Sequence, residues 1–359
     1  MEKKHIFMKN RNLKAPVFLA AAVFLTAALA ASVLTAITFG NADISIQDVY
    51  RVILCELTHA PALENFSEGA VHDVVWLIRL PRVLMAAAVG MGLSVCGTVM
   101  QAIIKNPLAD PYVLGVSSGA YLGAAASIVI GIGSVLGAAS MGIMAFAGAF
   151  AASIAVLAIA GIGGRFKVTS LVLAGIAVNA VCSAFANFII YMAQSKEATT
   201  QISYWSMGSL AAADWDNVPV TLIVMAAGTI IFGAQYRKLN LMLLGDETAI
   251  TLGSSLRRTR ILDMLLSALM VGFAVCAAGM IGFVGLVIPH AMRMIFGTNH
   301  RRLILLSALA GAVFLIWCDV ACRVILKNAE LPIGILVSLI GAPCFIALMI
   351  KYTHKGGRT

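Results

Sequence analysis

Apolar runs of about twenty residues recur along the whole chain, separated by short polar clusters. Period-two alternation is absent, so the rhythm predicts helices rather than strands. Ten runs stand out: 16–39, 80–104, one opening near Val113, 136–162, 171–193, 218–235, 261–278, 281–296, 303–324 and 333–350. A hydrocarbon core ~30 Å thick takes ~20 helical residues per crossing. Backbone groups in lipid must bond within their own segment, so each run is expected to cross as a helix. The expected class is all-α and polytopic, with one transmembrane unit over 1–359.

The polar connectors refine this picture. Gly40 to Val75 is acidic, and Ser45 with Asp48 reads as a helix cap in front of a Val49, Val52, Ile53 stripe, which predicts a short surface helix. Lys105 to Pro111 holds two prolines four apart and is expected to be a structured loop. Ser195 to Asn217 is polar, with Tyr204, Trp205 and Trp215 suited to a membrane interface. Leu239 to Arg260 is too polar to span. Two short helices broken at Gly245 fit it, the second opening with Asp246 and Glu247 near its positive end.

Composition agrees: 61% of residues are hydrophobic and only 11% charged, which excludes an ordinary soluble domain at about 25% charged. A formal charge of +9 would suit nucleic acid, but the cations sit in connectors on one side. Of 25 Lys and Arg, only Arg51, Arg79, Arg82, Lys196, Arg323 and Lys327 fall on the other, as the positive-inside rule requires with both termini cytoplasmic. The basic start and the Ala28-Leu29-Ala30 triplet resemble a signal peptide, yet the apolar run continues to Phe39 and reads as the first span. Seven cysteines form no CxxC pair, and no His, Cys or Met cluster suggests a metal.

Two further patterns bear on function. Shifting the chain by about half its length aligns Leu84, Ala86, Val89, Gly90, Gly97, Pro107, Ala109 and Gly115 with Leu266, Ala268, Val271, Gly272, Gly279, Pro289, Ala291 and Gly297. With five spans per half the two copies must be inverted, an architecture used by alternating-access transporters. In the fifth span, Asn179, Ser183 and Asn187 form a polar stripe, read either as glue to a partner helix or as lining of an aqueous path.

Several long motifs occur together: RLPR from Arg79, NPLADP from Asn106, GVSSGA from Gly115, WSMGSL from Trp205, LGDE from Leu244, GFVGLVIPHAMR from Gly282, ELPIG from Glu330 and GAP from Gly341. Over Leu80 to the C-terminus the chain resembles the FecCD family, permease subunits of bacterial ABC importers for iron-siderophore, haem and cobalamin. The resemblance implies a multi-pass protein of the cytoplasmic membrane with ten spans. It also implies a second permease subunit, expected to be a homodimer partner, two cytoplasmic ATPase subunits and an extracytoplasmic substrate-binding protein. ATP and Mg would be bound by the ATPase partner, with no cofactor and no nucleic acid on this chain. Carried over residue by residue, it makes Arg79, Arg82 and Arg323 docking groups for the binding protein. Leu244, Gly245, Asp246, Glu247, Ala249 and Leu252 become the ATPase coupling element within 239–256. Asn106, Pro107, Leu108, Val168, Thr169 and Ser170 become a cytoplasmic gate.

Competing classes lack their signatures. No GxxxxGK[ST] loop occurs, as expected if nucleotide binds elsewhere. An ion-coupled transporter needs midplane carboxylates, whereas Asp263 and Asp319 fall near span ends. An intramembrane enzyme needs a catalytic constellation, and His290 stands alone. Nothing in the residues names the cargo. An iron chelate is the family's commonest passenger, with cobalamin as the alternative.

Overall fold

The computed structural model describes residues 15–40, 42–162, 168–252, 256–326 and 329–356. The predicted tails, 1–15 and 351–359, therefore lie largely outside the described residues, as do the Gly163 to Lys167 turn, 253–255 within the predicted coupling segment, and Lys327.

Helices account for nearly all of the ordered backbone, and no strand occurs among the described residues. In chain order they are α1 (Ala15–Ala36), α2 (Ile46–Thr58), α3 (Ala70–Ile104), α4 (Val116–Ile130), α5 (Ser140–Gly161), α6 (Val168–Ala193) and α7 (Lys196–Ser206). There follow α8 (Val218–Ala234), α9 (Tyr236–Leu244), α10 (Asp246–Thr251), α11 (Arg257–Ala278), α12 (Val284–Phe296), α13 (His300–Val324) and α14 (Ile333–Gly356). Six of these, α1, α3, α5, α6, α11 and α13, are long and apolar enough to cross a bilayer. The α8–α9 pair, bent by 59°, adds a seventh candidate, and α4, α12 and α14 are shorter apolar helices. Together they account for all ten apolar runs.

Local chemistry explains the boundaries. Ser45 caps α2, its Oγ accepting from the Asp48 N–H at 3.1 Å, and Val49 and Val52 form the buried stripe. Asn299 caps α13 in the same way through the Arg301 N–H. Two elements exceed the sequence expectation. The helix through the second run begins at Ala70, ten residues early, because a wide turn over Asp73–Arg79 lets the polar His72 and Asp73 continue the same helix. The polar segment after α6 contains α7, capped by Ser195, a helix that the sequence pattern did not assign.

α3 is the centre of the molecule, with 89% of its apolar window buried, whereas α1 and α6 are mostly exposed. It packs on α13, α8, α12 and α11. Small residues make this possible: a Cβ at Gly97 would collide with the Gly285 carbonyl of α12, and one at Gly90 with the Gly311 carbonyl of α13. The second spanning helix of the first half thus rests on the fourth of the second half. The reciprocal contact exists too, since α11 packs on α5 with Gly272 against the Phe146 ring. This crosswise exchange is what two related halves would produce.

Candidate functional site

At one end of the bundle three arginines gather, two of them, Arg79 and Arg323, on the end of α1. Arg79 from α3 donates through Nη1 to the Ile37 and Thr38 carbonyls, each at 3.2 Å, and through Nη2 to Ala42 at 2.7 Å. Gly40 lets the backbone close on this guanidinium, because a Cβ there would lie 2.8 Å from it. Arg82 donates through Nε to Asp319 Oδ1 at 2.8 Å and through Nη1 to Glu330 Oε2 at 2.7 Å. Arg323 pairs through Nε with Asp319 Oδ2 at 3.1 Å, and its Nη1 donates to the Phe39 carbonyl at 2.8 Å.

These three, which the resemblance makes docking groups for the binding protein, are 4–6% exposed and paired within the chain. Buried guanidinium groups require acceptors, and Asp319 together with the backbone carbonyls after α1 supplies them. Asp319 was noted in the sequence only as an acid near a span end. Glu330 sits inside the ELPIG motif. Asp319 lies four residues before Arg323 on one helix face, but neither acid could be assigned to Arg82 from spacing, because they lie 237 and 248 residues from it.

Neighbouring turns are sewn to this rim. Trp215 Nε1 donates to the Trp76 carbonyl at 2.8 Å, with the two rings 5.0 Å apart. The Ile333 and Gly334 N–H groups donate to Gly208 and Met207, which ties the start of α14 to the turn after α7. Next to this junction lies an open cleft of about 830 Å³. Its walls include Asp110, Tyr112, Ser117, Ser206, Met207, Phe283, Ser338 and Leu339. The Tyr112 hydroxyl donates to the Ile281 carbonyl at 3.1 Å, and Asp110 Oδ1 accepts from the Tyr112 N–H at 2.8 Å. Burial pushes the Asp110 carboxyl up to about 6, an effect that the Tyr112 N–H partly offsets. Several of these residues lie inside the NPLADP, GVSSGA, WSMGSL and GFVGLVIPHAMR motifs, but none was assigned to a cleft from the sequence, since they come from five separate elements.

At the opposite end of α8 the chain turns through the elbow expected at Gly245. Its φ of +104° is a conformation that residues with a Cβ rarely adopt, and it divides α9 from α10. Leu239 and Met242 are buried in the bundle, while Leu244 and Leu252 are 58% and 61% exposed. Ala249, expected on the outward apolar face, is instead buried against its own chain. The side chains of Asp246 and Glu247 lie outside the described residues. Asn240 of α9 donates to Asn299 Oδ1 at 3.2 Å, which places the elbow beside the Arg301 and Arg302 turn.

The two expected gate turns remain separate. Asn106 Oδ1 accepts from the Leu108 N–H at 2.9 Å, with Pro107 and Leu108 half-buried, while Val168, Thr169 and Ser170 form the first turn of α6. No hydrogen bond joins them among the described residues. On α6, Asn179 and Asn187 are exposed and Ser183 is half-buried. The stripe is therefore not glue within this chain. It lies beside exposed Ile176, Phe185 and Phe188, and contributes nothing to the cleft wall.

Fold and sites together define a multi-pass helical membrane protein with ion pairs gathered at one rim, a bent connector at the other end and a cleft between. The chain belongs to the FecCD transport family, whose match runs over residues 28–351. It is 42% identical over 284 residues to the hemin transport system permease protein HmuU of Yersinia pestis, covering 78% of this chain and 84% of that protein. It is 40% identical over 276 residues to the cobalamin import system permease protein BtuC of Halobacterium salinarum, covering 77% and 73%. A solved inward-facing structure of a metal-chelate type ABC transporter matches with a TM-score of 0.78 at 29% identity, covering 93% of this chain and 99% of that one.

Proposed function

We propose that this chain is the membrane-spanning permease subunit of an ABC importer that translocates an iron chelate, a ferric siderophore or haem. Cobalamin is the alternative cargo. In this reading an external binding protein delivers the chelate, and separate ATPase subunits supply the energy and hold ATP and Mg. The chain itself provides a passage. The observation that carries the reading is the Gly245 elbow, which holds Leu244 and Leu252 out from an otherwise packed end of the bundle. Two apolar side chains that far into water, beside a cationic turn, suit insertion into a groove of a cytoplasmic partner.

The elbow side is then cytoplasmic, and the acidic α2 and the arginine rim face outward. A second permease copy would cover the exposed α6 face, giving Asn179 and Asn187 a partner or a water-filled path instead of lipid. Asn106 to Leu108 and Val168 to Ser170 would close that path from the inside. At the rim, a binding protein reaches Arg82 by exchanging its own carboxylate for Glu330, whose side chain is 44% exposed. Arg79 and Arg323 hold the surface beneath.

Reconstitution tests the whole reading. Proteoliposomes carrying this chain, its ATPase and its binding protein should take up chelate only with ATP and should stop with vanadate. Uptake by the chain alone, driven by an ion gradient, would overturn it.

A further inference from the structure

The cleft at the α14 junction sets a strained aromatic residue among polar groups of one electrical sign. Phe283, in its wall, has φ +64° and ψ −25°, a left-handed conformation that a bulky side chain rarely adopts. The Val284 N–H closes back on the Gly282 carbonyl at 2.8 Å, a tight three-residue turn that opens α12. Gly341 of α14 makes room for the ring, since a Cβ there would lie 2.7 Å from Phe283 Cγ. Strained conformations of this kind persist where the surroundings impose them, and they cluster at ligand clamps and switch regions. Met207, Leu286 and Leu339 continue the apolar part of the wall.

Among the described residues that line the cleft none is Lys, Arg or His, and the one charged side chain is that of Asp110. Three hydroxyls are already committed as donors inside the chain: Tyr112 to the Ile281 carbonyl at 3.1 Å, Ser206 to the Ser203 carbonyl at 2.8 Å, and Ser117 to Met280 Sδ at 3.1 Å. A hydroxyl that donates elsewhere keeps only lone pairs for a further partner. The cleft therefore offers acceptors, a carboxylate and an aromatic ring, with no cation to receive a negative charge. Acyl chains would leave these polar groups without partners, so lipid is a poor filling. An apolar wall with a few polar groups from separate elements is the make-up of a small-molecule site, and about 830 Å³ lies within the usual ~300–1,000 Å³.

Ferric chelates differ in charge according to their donor groups. Three hydroxamates just balance the ferric ion, whereas three catecholates leave a large negative excess. Such a polyanion would meet Asp110 and the acceptor lone pairs with nothing to compensate them. We propose that the cleft binds the passenger with its apolar body against Phe283, and that it selects chelates without net negative charge, of the ferric trihydroxamate class, over tricatecholates. That the ligand is a ferric chelate rests on the importer reading, whereas the sign of the preference rests on the wall alone.

Binding is measured on the full-length chain in lipid nanodiscs, without binding protein or ATPase, so that their selectivity does not enter. Equilibrium dialysis at about pH 8, where Asp110 is ionised, compares radioiron-labelled ferric desferrioxamine B, a trihydroxamate, with ferric enterobactin, a tricatecholate. The trihydroxamate should bind saturably and about tenfold more tightly. S338K places a cation on the wall and should shrink or reverse that ratio, while S338A should keep it. If S338K does not fold, D110N removes the negative charge and should narrow the ratio in the same direction. F283G takes away the ring at a conformation that glycine accepts, and should weaken both chelates several-fold while leaving their ratio unchanged. Equal or tighter binding of the tricatecholate, no saturable binding of either chelate, or a ratio unmoved by S338K and D110N would overturn the proposal. Undiminished binding by F283G would remove the ring from it. ATP-driven uptake by the reconstituted importer is read separately, so its failure would sink the importer reading and leave the charge preference standing.

Discussion

Arg82 Nε and Asp319 Oδ1 meet at 2.8 Å, with less than a tenth of either side chain exposed, and so bind α3 to α13 across 237 residues of sequence. Asp319 also faces Arg323, so one carboxylate balances two guanidiniums. D319L should therefore leave the buried Arg323 without a carboxylate and Arg82 with Glu330 alone, and cost ~3–5 kcal/mol, read as a clear fall in melting temperature in detergent. R82M combined with D319L should recover part of that loss. Equal melting of D319L and wild type would mean that the pair adds nothing.

Docking at the rim separates two roles. E330Q removes the more exposed of the two carboxylates paired with Arg82, so a binding protein that presents a carboxylate should bind several-fold more tightly. R82E should abolish docking while leaving the chain in the membrane. R79E should release the Ile37, Thr38 and Ala42 carbonyls, because these three backbone acceptors would face a carboxylate. Surface plasmon resonance with the cognate binding protein distinguishes these outcomes.

Close approach of α3 and α12 depends on Gly97. G97V places a branched side chain where the Gly285 carbonyl already sits, and it should destabilise the chain by more than about 3 kcal/mol. Retention of wild-type melting would show that the two helices can separate at little cost.

The elbow makes a kinetic prediction. Reversing Asp246 and Glu247 to Lys, or replacing Leu244 and Leu252 with Ser, should leave insertion and folding intact while uncoupling ATP hydrolysis from uptake. Substrate-stimulated hydrolysis at the wild-type rate in both variants would remove the elbow from the coupling path.

Asp110 offers a pH test. Its folded-state value of about 6 lies above the usual 3.8, so its contribution is fully present below about pH 4 and is lost as pH rises through about 6. D110N keeps the acceptor for the Tyr112 N–H without the charge. Above pH 7 it should melt higher than the wild type, by the equivalent of about 2–3 kcal/mol, and below pH 4 the two should coincide. A constant difference across pH would assign the effect to packing.

Much of this architecture was legible because bilayer physics leaves few choices: long apolar runs must be helices, and Gly245 between two amphipathic stretches had to break them. The cap at Ser45 was equally local. What escaped was long-range or disguised. Arg79, Arg82 and Arg323 were visible as cations on the wrong side, but the acceptors of Arg79 are backbone carbonyls after α1 and those of Arg82 are acids hundreds of residues away. Ala249 looks like part of an outward stripe, and only the tertiary fold turns it inward. α7 has too few apolar residues for periodicity to betray it. The cleft gathers single residues from distant segments, and no sequence window contains them.

The 35 residues of α3 make a rod about 50 Å long, well beyond the ~30 Å of hydrocarbon it crosses. Sheathed over its apolar stretch, it cannot bend there independently of its neighbours. A tug on the arginines at one tip and a push near the Asn106 turn at the other therefore act on a single stiff axle. Delivery outside and the motor's stroke inside would be felt as tilts of the same body, with no relay of small side-chain shifts needed between them.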